Sequence, residues 1–186
     1  MSRRRIVYWL VPAKPERELF HGIISILAQQ LEGPRFEPHV TLFSTGNDLR
    51  SVSRVLATMK ARPVRLTLTG IHSSSKYSKT LFARFRPSVT LNEIAAGLQT
   101  AAGERRTKVG DPHLSLCYKR LSTAMKKKLA QLIRVPLRDV LFDTVYAVRC
   151  SAPTRTAADV HAWEVIARRK MKSGRADVRR PNFTAR

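Results

Sequence analysis

Two short segments of the chain carry the same combination of an imidazole and a hydroxyl group. The segment PHVTL contains His39 and Thr41, and the segment PHLSL contains His113 and Ser115. Alternate side chains of a β-strand point to the same face. Each histidine should therefore project together with its hydroxyl residue, while the intervening apolar residues point into the core. One copy of this pattern is weak evidence, but its repetition is hard to ascribe to chance.

If both strands border one cleft, two imidazoles and two hydroxyl groups converge there. This set of groups suits cleavage of a phosphate ester without a metal ion. One neutral histidine can take a proton from the attacking water, and one protonated histidine can give a proton to the leaving oxygen. Thr41 and Ser115 can donate hydrogen bonds to the non-bridging phosphate oxygens. The sequence leaves open whether His39 or His113 is the acid.

Two other interpretations of the motifs compete with this one. A strand histidine is often satisfied by the backbone and plays no chemical part, although a repeated motif argues against that. A zinc site normally needs three or four ligands, and Asp111 is the only carboxylate that the sequence indicates close to either motif. Cys117 and Cys150 have the spacing of neither a zinc site nor a disulfide framework. We therefore expect two buried thiols, no metal and no cofactor.

The elements that must position the motifs follow from the apolar patterns. Continuous or alternating apolar residues predict strands, and apolar residues at helical spacing predict helices. The helix after the first motif should be capped by Asn47 or Asp48, and the helix after the second by Ser122 or Thr123. The predicted strands cover residues 6–11, 39–43, 64–71, 80–85, 114–118, 140–150 and 163–167, and the predicted helices cover residues 15–31, 48–59, 91–98 and 123–133.

The charge balance indicates the kind of ligand. The 186 residues include 35 Lys and Arg against 13 Asp and Glu, a formal net charge of +22. Such a field favours polyanions, namely RNA, DNA or phosphorylated small molecules. We predict a phosphoesterase domain over residues 1–167 and a basic tail over residues 168–186. The tail contains eight basic residues and one acidic residue, so the rest of the chain is basic in its own right.

Beyond the two motifs, longer segments resemble a known family. The paired His-x-(Thr/Ser) elements resemble the two-histidine (2H) phosphoesterase superfamily. The segments YWLVP from Tyr8, GPRFEPHVT from Gly33, PHLSLCY from Pro112 and AWEV from Ala162 are similar to its plant and yeast cyclic phosphodiesterase branch. The resemblance runs in order through most of residues 5–168 and leaves out the basic tail.

The resemblance implies an α+β fold of two pseudo-symmetric lobes, with antiparallel sheets, outer helices and a central cleft. It implies that His39 and His113 are the catalytic pair and that Thr41 and Ser115 bind phosphate. By the same resemblance, Tyr118 helps to hold the phosphate region and Trp9 stacks on the base. Strand alternation from His113 would instead place residue 117 on the catalytic face, and Trp9 could simply be a core side chain.

The expected substrates are 2′,3′-cyclic nucleotides, ADP-ribose 1″,2″-cyclic phosphate or RNA ends with a cyclic phosphate, opened to 2′-phosphate-type products. An RNA 2′,5′-ligase or 2′,5′-phosphodiesterase is the enzymatic alternative, and a non-catalytic nucleotide- or RNA-binding module is the other. RNA could also contact the basic surface, the tail, or Lys76, Tyr77 and Lys79 in the predicted hairpin turn. No apolar run reaches the length of a membrane span, so we expect a cytoplasmic monomer active in RNA processing.

Overall fold

The computed structural model describes residues 3–172, which form seven strands, five α-helices and one short 3₁₀ helix. In chain order these are β1 (Arg3–Pro12), α1 (Glu16–Leu31), β2 (Val40–Thr45), α2 (Leu49–Ala57), β3 (Val64–Ser73), the 3₁₀ helix (Tyr77–Lys79), β4 (Leu81–Phe85), α3 (Val89–Ala101), β5 (His113–Cys117), α4 (Thr123–Leu132), β6 (Asp139–Ala152), α5 (Ala157–His161) and β7 (Glu164–Lys170).

Side-chain caps define where four of the helices begin. Asp48, not Asn47, caps α2 by accepting a hydrogen bond from the backbone N–H of Arg50. Ser122, not Thr123, caps α4 in the same way. Ser88 caps α3. These polar residues satisfy amide groups that have no partner inside the helix, so each fixes the start of its helix at the end of a loop.

The strands form one antiparallel system that closes on itself. Their order is β1-β2-β5-β4-β3-β6-β7, and β6 also pairs with β1. The first lobe consists of β2, β1, the long β6 and β7, and the second consists of β5, β4 and β3, with β3 joined to the beginning of β6. Between β2 and β5 the lobes share one registered pair, Val40 with Leu114. The two predicted motifs therefore meet where the lobes separate.

Opposite faces of β1 have different surroundings because its side chains alternate. Ile6, Tyr8 and Leu10 belong to the main core, which includes the buried faces of α1, α2 and α3. Trp9 and Val11 belong to a smaller apolar cluster on the other face, together with residues of β6. The helices cover the first face, so the second face is left to form the floor of a cleft.

Two elements differ from the sequence prediction. Strand β7 extends beyond the boundary predicted after residue 167, because residues 168–170 pair with residues 144–146 of β6, and Met171 is buried in the main core. The tail from residue 173 onward lies outside the described residues. Helix α5 was not predicted, although Thr156 and Asp159 form a capping box at its start. Its five residues are too few to show helical periodicity.

Helix α1 offers a matched test of this packing. Ile24 is 1% exposed and faces the core, whereas Ile26 of the same helix is 62% exposed. We expect Ile24→Ala to lower the free energy of unfolding by about 2–5 kcal/mol, because it removes buried methyl groups and leaves a cavity. Ile26→Ala should change it by less than about 0.5 kcal/mol. Urea unfolding measures both values, and equal losses would contradict the described orientation of α1.

Candidate active site

The two motifs line a single cavity of about 390 Å³ at the junction of the lobes. His39, Thr41, His113 and Ser115 all contribute to its wall. The pairing of Val40 with Leu114 explains this arrangement, because each of these residues directly follows a motif histidine. Paired residues of an antiparallel sheet point to the same face and their neighbours point to the other. All four polar side chains therefore lie on the cleft face.

Backbone carbonyl groups fix the orientation of both imidazoles. Nδ1 of His39 lies 2.6 Å from the carbonyl oxygen of Glu37, and Nδ1 of His113 lies 2.8 Å from that of Asp111. A carbonyl oxygen can only accept, so Nδ1 carries the proton in each ring. In the neutral form, Nε2 of each ring is then unprotonated and can accept a proton.

Ion pairs hold the side chains of Glu37 and Asp111, the two residues whose carbonyl groups orient the histidines. Arg17 of α1 binds the Glu37 carboxylate through two hydrogen bonds, of 2.6 and 2.9 Å. Lys79 binds the Asp111 carboxylate, and Nε of Arg84 lies 3.2 Å from Oδ1 of Asp111. Helix α1 therefore braces the segment before His39, and the 3₁₀ helix and β4 brace the segment before His113.

Only half of this arrangement was predicted from the sequence. The prediction that Asp111 is the only carboxylate close to a motif is wrong, since Glu37 stands at the equivalent position two residues before His39. The repeat is acidic-Pro-His-apolar-hydroxyl-apolar in both copies. The acidic residues orient the histidines through their main-chain carbonyls, so a search for carboxylates on the histidine face passes over them.

Burial lowers the pKa of both histidines. His39 is 6% exposed, and loss of solvent lowers its pKa from 6.5 to about 4, with a further lowering from His113, against the opposing effect of the hydrogen bond to Glu37. Desolvation also lowers the pKa of His113, and Lys79 and Arg84 add to this, while Asp111 opposes it. In the free protein at neutral pH, the neutral form of His39 is therefore favoured.

Trp9 lines the cavity and packs against a motif histidine. Its indole stacks on the His39 ring, with centroids 3.8 Å apart and planes 11° apart, and the residue is 3% exposed. Trp163 closes against both rings edge-on. His39 covers one face of the Trp9 ring, and stacking of Trp9 on a base stays a prediction. Trp163 also lines the cavity, and it was not among the predicted site residues.

The three hydrogen-bonding residues are not equivalent. Thr41 is exposed in the cavity. Ser115 is 4% exposed and donates its hydroxyl to the carbonyl oxygen of Ser78, so it must rotate before it can donate to a phosphate. Tyr118 lines the cavity and is hydrogen-bonded to Ser115, and burial raises its pKa.

The end of β5 explains how Tyr118 reaches the cavity. The strand stops at Cys117, so Tyr118 follows it and is not bound by strand alternation. Phe36 stacks on the Tyr118 ring with centroids 4.2 Å apart. Cys117 is buried in the main core, and both Cys117 and Cys150 are free thiols.

The predicted turn between β3 and β4 also reaches the site. Ser78 lines the cavity, and Lys79 binds Asp111 and lies over the Phe82 ring, which itself contacts His113 edge-on. Lys76 is exposed and is not among the described residues that line the cavity. In residues 3–172, His, Cys, Asp and Glu nowhere gather in a group of three suited to a metal ion, and no helix there has the length and apolar character of a membrane span.

The low pKa of His39 makes stability depend on pH. The unfolded chain binds a proton at His39 below about pH 6.5, but the folded protein binds it only near pH 4. Unfolding therefore takes up a proton between these values, and stability falls as the pH is lowered through that window. A shift of this size corresponds to about 3 kcal/mol.

We expect His39→Gln to remove most of this acid destabilisation. The readout is the difference in free energy of unfolding between pH 7 and pH 4, obtained from urea titrations. His161→Gln is the control, because His161 is exposed and lies away from the cavity. An unchanged pH dependence in His39→Gln would show that His39 titrates normally in the folded protein.

Comparison with known proteins is consistent with this geometry. A family model described as cyclic phosphodiesterase-like protein matches residues 5–171, whereas no curated protein matches the chain. Escherichia coli LigT complexed with 3′-AMP has a TM-score of 0.56 at 13% identity, covering 92% of this chain and 100% of LigT. LigT complexed with NADP+ has a TM-score of 0.55 at 16% identity, covering 90% and 98%. These structures share the predicted two-lobed α+β fold. The family match spans nearly all described residues, and the chain therefore belongs to the cyclic phosphodiesterase-like family of the two-histidine phosphoesterase superfamily.

Proposed function

We propose that the protein hydrolyses cyclic phosphodiesters on ribose, namely 2′,3′-cyclic phosphates or an equivalent ring, to 2′-phosphates without a metal ion. One observation carries the proposal. Two imidazoles, each with Nδ1 hydrogen-bonded to the carbonyl two residues before it, line one cavity together with Thr41 and Ser115. This arrangement supplies two proton-transfer groups and two hydroxyl groups around a space large enough for a phosphate and its sugar.

The reaction needs one transfer of a proton on each side of the phosphorus. Water attacks phosphorus and forms a new P–O bond, and its proton goes to a neutral imidazole. The bond from phosphorus to the 3′ oxygen breaks, and that oxygen takes a proton from the other imidazole, which is protonated at the start. Each turnover therefore exchanges the protonation states of the two histidines, which solvent then restores.

The surroundings of the histidines favour particular roles. His39 is the more deeply buried and stacks on Trp9, so desolvation acts against its charged form. We assign it the role of base. His113 is partly buried and lies beside the Asp111 carboxylate, which favours its protonated form, so we assign it the role of acid. An anionic substrate phosphate in the cavity further favours protonation of the ring next to the leaving oxygen.

The remaining site residues hold the substrate. Thr41 donates to a phosphate oxygen directly, and Ser115 does so after turning from Ser78, with Tyr118 supporting it. LigT has been crystallised with 3′-AMP, with NADP+ and with phosphate, which agrees with a nucleotide ligand in this fold. The net charge of +22 also agrees with an anionic substrate.

Removal of either imidazole tests the proposal. We expect His39→Ala and His113→Ala to lower kcat by roughly 10²–10⁴-fold, the usual contribution of general acid or base catalysis. His161→Ala should retain full activity, because that residue lies outside the cavity. The assay uses 2′,3′-cyclic mononucleotides, RNA with a cyclic phosphate end and ADP-ribose 1″,2″-cyclic phosphate, each with a chelator present.

Product identity separates the alternatives. A 2′-phosphate product supports cyclic phosphodiester hydrolysis, whereas a joined 2′,5′ linkage or cleavage of one identifies the ligase or 2′,5′-phosphodiesterase alternative. Binding of the substrates without any turnover identifies a non-catalytic binding module. Loss of activity with the chelator, or most activity retained in either alanine variant, would refute the mechanism.

Substitution of Asp111 tests whether its ion pairs with Lys79 and Arg84 affect catalysis through His113. We expect Asp111→Asn to lower kcat by up to about a hundredfold, because it weakens the contacts with Lys79 and Arg84 that hold the carbonyl oriented on His113. Loss of the carboxylate also lowers the pKa of His113. Activity that requires protonated His113 should then be lost at a lower pH as the pH rises.

The pH profile of kcat/KM measures this shift, which a merely structural role would not produce. Asp111→Glu keeps the negative charge and should restore the wild-type position of the alkaline limb. An alkaline limb that stays in place in Asp111→Asn would assign that limb to a group other than His113.

A further inference from the structure

A second cavity, of about 540 Å³, lies beside the first and has a strongly basic wall. Lys14, Arg17, Arg168 and Lys170 surround it, with Tyr146 and Asp143 among the other lining residues. We refer to it as the basic cavity. Among the described residues, Asp143 is the single carboxylate that lines it, so this part of the wall carries four positive groups against one negative group. A concave surface of this kind concentrates anions.

The two arginines of the basic cavity are arranged around one aromatic ring. The guanidinium carbon of Arg17 lies 5.6 Å from the centroid of Tyr146, and that of Arg168 lies 5.3 Å from it. Arg17 already donates two hydrogen bonds to Glu37. A cation–π contact orients a guanidinium group without using its N–H donors. The donors of Arg168 therefore suit a phosphate, which guanidinium groups bind through paired hydrogen bonds.

Three of the four basic residues that line the basic cavity have an acidic partner. Arg17 is bound to Glu37, Lys14 lies 2.9 Å from Glu18, and Nζ of Lys170 lies 3.5 Å from Asp143. Arg168 has no acidic partner within residues 3–172. Arg168 is therefore an exposed cation of the cavity wall that lies against a ring and has no counter-charge among the described residues.

The basic cavity adjoins the catalytic cavity through two connections. Tyr146 of β6 pairs directly with Trp9 of β1, and both side chains belong to the apolar cluster on the cleft face. Trp9 in turn stacks on His39. Arg17 binds the side chain of Glu37, the residue whose carbonyl orients His39. The two cavities are thus linked through the Trp9–Tyr146 pair and the Arg17–Glu37 contact, and Trp9 and Tyr146 belong to one apolar cluster.

We propose that the basic cavity binds a second phosphate group of the substrate, one that is not the reacting phosphate. This inference rests on the proposed function and specifies its substrate class: a cyclic phosphate attached to a larger phosphorylated group, in preference to a cyclic mononucleotide. Two sources have the required chemistry, the next phosphodiester of an oligonucleotide and the diphosphate of ADP-ribose 1″,2″-cyclic phosphate. Arg168 and Lys170 contact this second phosphate and make no contact with the reacting phosphate.

The test compares three substrates in the full chain. A 2′,3′-cyclic mononucleotide has the reacting phosphate alone, whereas a short oligonucleotide with a cyclic phosphate end and ADP-ribose 1″,2″-cyclic phosphate each have more. For the wild type we expect a lower KM for at least one of the two larger substrates. In the double variant Arg168→Gln/Lys170→Gln, that KM should rise about tenfold, with kcat/KM for the mononucleotide unchanged.

A matched variant separates this site from the general field of the protein. Lys127→Gln/Lys128→Gln removes the same charge from an exposed face of α4, away from both cavities. It should leave the KM ratio between larger substrate and mononucleotide at the wild-type value. If the oligonucleotide is the preferred substrate, its KM should depend less on salt concentration in Arg168→Gln/Lys170→Gln than in the wild type. The slope of log KM against log salt concentration should fall by about 0.7 for each phosphate contact removed.

The outcomes are distinguishable from failure of the proposed function. Hydrolysis of the mononucleotide reports on the catalytic cavity alone, and its absence in the wild type counts against the proposed function. Equal KM values for all three substrates in the wild type would overturn the inference while leaving that function intact. Equal effects of the two double variants would overturn it as well, because charge alone would then account for the preference. A response confined to one larger substrate supports the inference and identifies the source of the phosphate.

Discussion

The pairing of Val40 with Leu114 is the constraint on which the catalytic arrangement depends. It joins the two lobes at the residue that follows each motif histidine. Side chains next to a paired position point to the opposite face from the pair itself. The histidine and the hydroxyl residue of each motif therefore face the same cleft, where all four line one cavity. Each lobe contributes one motif, so neither lobe alone contains both.

Burial of this junction sets both its electrostatics and its rigidity. Trp9 and Trp163 cover His39, and Phe36 covers Tyr118, so the polar groups act in surroundings from which much of the water is excluded. In such surroundings hydrogen bonds and charges interact more strongly than in water. Ionised side chains placed directly among these groups would be costly to bury. The carboxylates of Glu37 and Asp111 instead lie outward in ion pairs, and only their carbonyl groups reach the histidines.

The sequence was informative where a side chain's position follows from strand periodicity. His39, Thr41, His113 and Ser115 reach one cavity because alternation places each pair on one face, and this could be predicted. Tyr118 escapes alternation because β5 has ended before it. The stack of Trp9 on His39 and the contacts of Trp163 join residues distant in the chain, which no local pattern encodes. The role of Glu37 was hidden because it acts through its main chain, to which the residue type gives no clue.

In the proposed mechanism, two copies of one motif perform opposite steps, and they differ in the residues that support them. The segment before His39 is held by Arg17 from a long helix, beneath a tryptophan, and the ring is nearly excluded from solvent. The segment before His113 is held by Lys79 and Arg84 at a partly exposed hairpin, so three charged groups surround a ring that remains nearer to solvent. Equal imidazoles in unequal surroundings acquire different pKa values, and this difference is what separates an acid from a base. In this proposal the repeat supplies two equal imidazoles, and the dissimilar elements packed around them give each imidazole its own role.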